Sequence, residues 1–117
     1  MIERNGGTAT SGTPFKKLFL IDIEGLGNGA VVTKTELVDL MNLADPLDLN
    51  GDGKTHFTLP YVTIENVLVL NPHTLLVAND NNFPYGGGRA LASDITEFLR
   101  ISLPPGRGVC KKNCAAD

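Results

Sequence analysis

Apolar residues in this chain come in short runs, separated by clusters of Gly, Asn, Asp and Pro, and that spacing predicts strands rather than long helices. Phe15 to Ile23 reads as a strand carried by Leu18, Leu20 and Ile21, and Gly25 to Gly29 reads as a turn. Val31 to Thr35 is β-branched and predicts a second strand. From Glu36 to Leu43 the spacing of Leu37, Val38, Leu40 and Met41 fits either a strand or a helical turn, and Pro46 ends it. Two clearer strands follow, Tyr61 to Leu70 and Thr74 to Ala78, joined by the turn Asn71-Pro72-His73. After a polar loop from Asn79 to Ser93, Thr96 to Leu103 sets Phe98, Ile101 and Leu103 against Glu97, Arg100 and Ser102. Pro104-Pro105-Gly106 stops it. The class expectation is all-β with antiparallel sheets. Residues 1–14, rich in Gly, Thr and Asn, read as a flexible segment, 15–103 as the β domain and 104–117 as a tail.

Length and charge narrow the options. At 117 residues the chain has room for one domain. A net charge of −3 and a pI near 5.2 give no basic stripe for a nucleic acid. No run reaches the roughly eighteen apolar residues that a membrane-spanning helix needs, and the polar opening has no signal-peptide pattern. The two cysteines, Cys110 and Cys114, stand without a second ligand pair for zinc; a local disulfide and two free thiols both fit them.

Oxygen-bearing side chains gather at two places. Asp48-Leu49-Asn50-Gly51-Asp52-Gly53 matches the first half of a calcium loop, in which alternating oxygens converge on a hard cation around a Gly turn. Its twelfth position is Leu59 instead of a bidentate Glu, so a calcium loop of another kind and a metal-free Asx turn both remain open. The second place is the mouth of the predicted hairpin. There Glu65 faces the end of the next strand and the cluster Asn79-Asp80-Asn81-Asn82. Glu65 and Asp80 are candidates to hold calcium and to direct water at a phosphoester, with Asn79 and Asn81 as candidate substrate contacts. Asn and Asp bonding their own backbone would give the same string. Arg89, after Gly86-Gly87-Gly88, suits either a phosphate or a pairing with Asp94 or Glu97.

Other chemistry finds little support. Glu24-Gly25-Leu26-Gly27-Asn28-Gly29-Ala30 contains a G-x-G-x-x-A string, but the β-branched run after it opens no helix and Glu24 would repel a pyrophosphate. Ser11, Ser93 and Ser102 stand outside any G-x-S-x-G elbow, and His56 and His73 are isolated.

The phrases LPYVTIENVLVL, TLLVANDNNFP, GGGR and TEFLRISL resemble the C-terminal part of the phytase-like family, also called esterase-like activity of phytase. KKLFLIDI, ELVDLMNLADP and the opening IERNG are similar to it as well, so the resemblance runs from Ile2 to about Leu103. Asn5 departs from it, standing where relatives often carry Asp. The resemblance implies the last one or two blades of a β-propeller-like fold, with the other blades expected upstream of Met1. It implies a calcium-dependent phosphoester hydrolase in the intact relative, exported to the periplasm or secreted, and little activity in this piece by itself. The alternative is a non-catalytic binding or scaffold module with a structural calcium loop.

Overall fold

The computed structural model describes residues 1–109, and it is all-β with antiparallel sheets. Strands β1 (Ile2–Arg4), β2 (Lys16–Ile21) and β3 (Lys34–Asp39) form one sheet in the order β1-β2-β3. A two-stranded ribbon joins β4 (Leu43–Ala44) to β5 (His56–Phe57). The second three-stranded sheet runs β6-β7-β8, from β6 (Thr63–Asn71), β7 (Thr74–Asp80) and β8 (Phe98–Ser102). Neither three-stranded sheet closes on itself; a 3-10 turn at Leu91–Ser93 precedes β8.

The hairpin β6–β7 forms where the sequence predicts it. Asn71 pairs with Thr74, which leaves Pro72-His73 as the turn, and the Asn71 side chain accepts the His73 N–H at 2.9 Å. Proline presets the backbone there, and the Asx contact supplies a partner for an otherwise free amide. β7 is the central strand, covered on both faces: Thr74, Leu75, Val77, Ala78 and Asn79 are all buried. β6 lies at the edge and exposes Leu68, Val69 and Leu70.

One hydrophobic cluster spans both sheets. Leu18 and Val38 from the first, Leu40 and Leu59 from the connections, and Ile64, Leu75 and Val77 from the second pack together with Tyr61 and Leu103. Each such buried aliphatic side chain contributes about 1.5–3 kcal/mol.

Three segments differ from the pattern-based expectation. The strand predicted at Val31 begins only at Lys34, and Val31 is 93% exposed. β-branching favours a pleated surface only when something packs on it. The ambiguous stretch after Glu36 continues as strand to Asp39 and then turns, with the Asp39 carboxylate accepting the Met41 N–H at 2.9 Å. The first fourteen residues, expected to be flexible, carry β1, whose Ile2 pairs with Leu18. The loop after β1 is fastened by side chains. Asn5 Oδ1 accepts the N–H groups of Gly7 and Phe15, and Thr8 Oγ1 accepts those of Thr10 and Ser11. Buried Lys16 donates its ammonium to the Asn5 carbonyl, and burial, followed by nearby Arg4, lowers its pKa. Cys110 and Cys114 lie outside the described residues.

Candidate functional site

The loop between β7 and β8 is irregular in trace yet densely bonded, and it gathers most of the candidate residues. Asn79, 2% exposed, accepts the Glu97 N–H at 2.7 Å and donates to the Ile95 carbonyl at 3.3 Å. Asn81 donates to the Asp94 carbonyl at 3.0 Å and accepts the Phe83 N–H at 3.3 Å. Asn82 takes a positive φ of 53°, donates to the Thr63 hydroxyl, and sends its N–H to the Asp80 carboxylate at 2.9 Å. A buried amide or acid must find such partners or lose the free energy of desolvation. Asn79 and Asn81, expected as substrate contacts, thus spend their polar atoms inside the loop.

Arg89 anchors the centre of this network. Its guanidinium donates to Glu97 at 3.1 Å and to the Ile95 carbonyl at 2.9 Å, and its Nε lies 3.6 Å from Asp94. The Asp94 side chain, 1% exposed, accepts the Gly87 N–H. Of the two roles open to Arg89, the structure shows the pairing, with both acids at once. Tyr61 donates its hydroxyl to Glu97 at 2.8 Å, and Arg89 lies over its ring. Burial first, then the hydrogen bond to Glu97, pushes the Tyr61 phenol above the usual range. Arg89 Nε and Asp94 Oδ1 are the buried polar atoms with no hydrogen bond among the described residues. They face one another at ion-pair range, so their charges compensate without ideal geometry.

Glycine makes the loop possible. Gly88 has φ +114°, and a Cβ there would fall 2.8 Å from Thr8 Cγ2. The Gly87 carbonyl accepts the Val62 N–H at 2.8 Å, so the triple glycine ties the N-terminal loop to the start of β6.

Glu65 and Asp80, expected to share a cation, have separate partners. Asp80 is opposite Thr63 and Asn79 is opposite Ile64, after which the register shifts before Asn66. Glu65 occupies that bulge, and a bulge re-aims its side chain. Its carboxylate lies 3.6 Å from Arg4 on β1 and is half exposed. The sequence gave no sign of the bulge, which is why simple pairing of strand ends placed the two acids together.

The Asp48–Gly53 loop adopts a self-bonded turn. Asp48, at φ +47°, accepts the N–H groups of Asp52 at 2.8 Å and Gly53 at 3.0 Å, one on each carboxylate oxygen. Asn50 accepts the Asp52 N–H at 3.3 Å, and Asp52 accepts the Lys54 N–H at 2.9 Å. The Lys54 backbone N–H is the main reason the Asp52 carboxyl titrates below its usual range. Gly53, at φ +76°, provides the turn expected at the sixth loop position, but Leu59 at the twelfth is fully buried in the core. The first half of a calcium loop therefore fits, with Asp48, Asn50 and Asp52 as its oxygen donors, and the second half does not. Among the described residues no three His, Cys, Asp or Glu side chains group to hold a metal ion.

Sequence reasoning named Asp94 and Glu97 only as possible partners of Arg89, and it gave Tyr61 no role beyond its strand. The available signal was Arg89 following three glycines, a cation that a tight loop carries close to the sheet. Comparison with protein-family models, curated proteins and solved structures finds no match to this chain.

Proposed function

We propose that this chain is the closing part of a phytase-like, β-propeller-like domain whose intact form hydrolyses phosphoesters with calcium, and that the piece by itself turns over little or no substrate. One observation carries this reading. The phrases that resemble the family, TIEN, NDNNFP, GGGR and TEF, are far apart in sequence yet knit into one corner. Thr63 bonds Asn82, Gly87 bonds Asp94, and Arg89 bonds Glu97. A set of phrases kept together for one structural purpose should converge in this way. The exposed apolar run Val67–Leu70 on β6 supports the larger sheet, since blades cover one another's faces.

In this reading the Asp48–Asp52 loop would hold calcium, and Glu65 and Asp80 lie on the rim that the remaining blades complete. Calcium would supply charge that orients and polarises a phosphoester. A second reading, a non-catalytic binding or scaffold module, draws on a specific observation: Glu65 pairs with Arg4, and Asp80 caps the Asn82 N–H. Both acids then stabilise loops.

Hydrolysis of a chromogenic phosphomonoester, with calcium and then with a chelator, separates the two. The first reading expects calcium uptake by calorimetry that Asp48→Ala abolishes. It also expects any turnover to be lost in Glu65→Gln and Asp80→Asn. Turnover unchanged by the chelator would remove the metal mechanism, and no calcium uptake at millimolar concentration would remove the loop's role.

A further inference from the structure

A cleft of about 740 Å³ separates the two three-stranded sheets, and its walls are unusual. Glu36, Leu37, Val38 and Asp39 of β3 line one side, and Phe98, Leu99, Arg100, Ile101 and Ser102 of β8 line the other. Side chains alternate across a strand, so a face borders a cavity with every second residue. Consecutive residues border it only where the strand's edge looks inward. Both strands are edges: β3 pairs with β2 alone, and β8 with β7 alone. Among the described residues no backbone bond from 98–102 or 34–38 crosses the cleft. The floor is apolar, from Leu43, Phe57 and Leu103.

The charges along the cleft are unevenly engaged. Glu36 and Asp39 share Lys17, Glu97 is held by Arg89 and Tyr61, and Asp45 accepts the Leu49 N–H. Arg100 and Arg107 also line it, and neither has an ion-pair or hydrogen-bond partner among the described residues. The available charge in the cleft is therefore positive.

We propose that this cleft binds one extended peptide segment of another protein chain, apolar in its middle and acidic at its ends, as an added strand between β3 and β8. The inserted backbone would satisfy the free amide and carbonyl groups of both edges, its apolar side chains would meet Leu43 and Phe57, and its carboxylates would reach Arg100 and Arg107. This is strand addition at two edges at once. It stands apart from the hydrolase reading, because it uses neither the calcium loop nor Glu65 and Asp80.

The test is fluorescence anisotropy with a labelled, end-capped Glu-Val-Thr-Val-Thr-Val-Glu peptide and the full chain. Saturable binding is expected, lost when alternate backbone amides are N-methylated on both edges. The single variants Arg100→Glu and Arg107→Glu, at exposed positions where folding is checked by circular dichroism, should each weaken binding about tenfold, the loss of one charge-assisted contact. A Lys-flanked version of the peptide should bind worse than the acidic one. Equal binding of the N-methylated or Lys-flanked peptide would overturn the proposal. So would no saturation by the acidic peptide, or sedimentation showing a second copy of this chain already filling the cleft.

Discussion

The guanidinium of Arg89 stacks on the ring of Tyr61, 4.2 Å from its centroid, while both side chains hydrogen-bond the same Glu97 carboxylate. The cation is thereby enclosed by a π face, two acids and a carbonyl, and its donors are spoken for. Replacing Arg89 leaves Asp94 buried with an uncompensated charge. Arg89→Ala should lower the unfolding free energy by about 3 kcal/mol, the scale for breaking a buried pair. Arg89→Lys, which keeps charge but loses the planar fork, should still lose about 1–2 kcal/mol. Urea denaturation measures both; equal stability of the three proteins would mean the network contributes nothing.

Tyr61 gives the same corner a pH signature. Its phenol titrates above the ordinary value of 10.0 in the folded protein, chiefly because it is buried and secondly because it donates to Glu97. A group raised on folding contributes stability that is complete below its unfolded pKa and is lost as pH climbs past it. Stability should therefore decline above about pH 10. Tyr61→Phe should flatten that decline and cost about 1.5 kcal/mol at neutral pH through the lost bond to a charged acceptor. Thermal melts across the alkaline range, beside phenolate absorbance in a Tyr85→Phe background, provide the check.

Gly88 joins the chain's opening to its last loop. At φ +114°, with Thr8 Cγ2 at 2.8 Å from where a Cβ would stand, alanine meets both strain and a collision. Gly88→Ala should destabilise by about 2 kcal/mol or more. Adding Thr8→Gly removes the collision and leaves the strain, so the double variant should recover part of what Thr8→Gly and Gly88→Ala lose when summed. Strict additivity in a double-mutant cycle would show that the two segments do not touch.

The edge of β6 presents Asn66-Val67-Leu68-Val69-Leu70-Asn71 to solvent without a charge. Natural sheets guard such edges with lysine. Leu68→Lys, at a position 57% exposed, should leave the melting temperature close to the parent's and reduce concentration-dependent association in sedimentation velocity. A monomeric parent at high concentration would show the edge to be harmless.

Much of the architecture was legible because alternation and turn chemistry are local. Asn71-Pro72-His73 announced its hairpin, and Phe98 to Ser102 its strand, within a residue or two. What could not be read was relational. Val31 satisfies every local preference for a strand and is left out because nothing packs on it. Ile2 sits in a stretch of Gly and Thr that reads as loose, yet Leu18 is placed to pair with it. The one-residue bulge at Glu65 leaves no trace in a string of β-formers, and it changed the partner of the most interesting acid. Arg89 was legible as an anchored cation, whereas the convergence of Tyr61, Asp94 and Glu97 on it needed coordinates.

The Gly87 amide is donated to a carboxylate that solvent does not reach, although it belongs to no strand. In deuterium exchange this proton should be retained with the slow amides of the central strand, while amides at the solvent side of β6 equilibrate early. In this molecule the ribbon drawn as coil is a clamp, and the ribbon drawn as a long arrow is the part that frays.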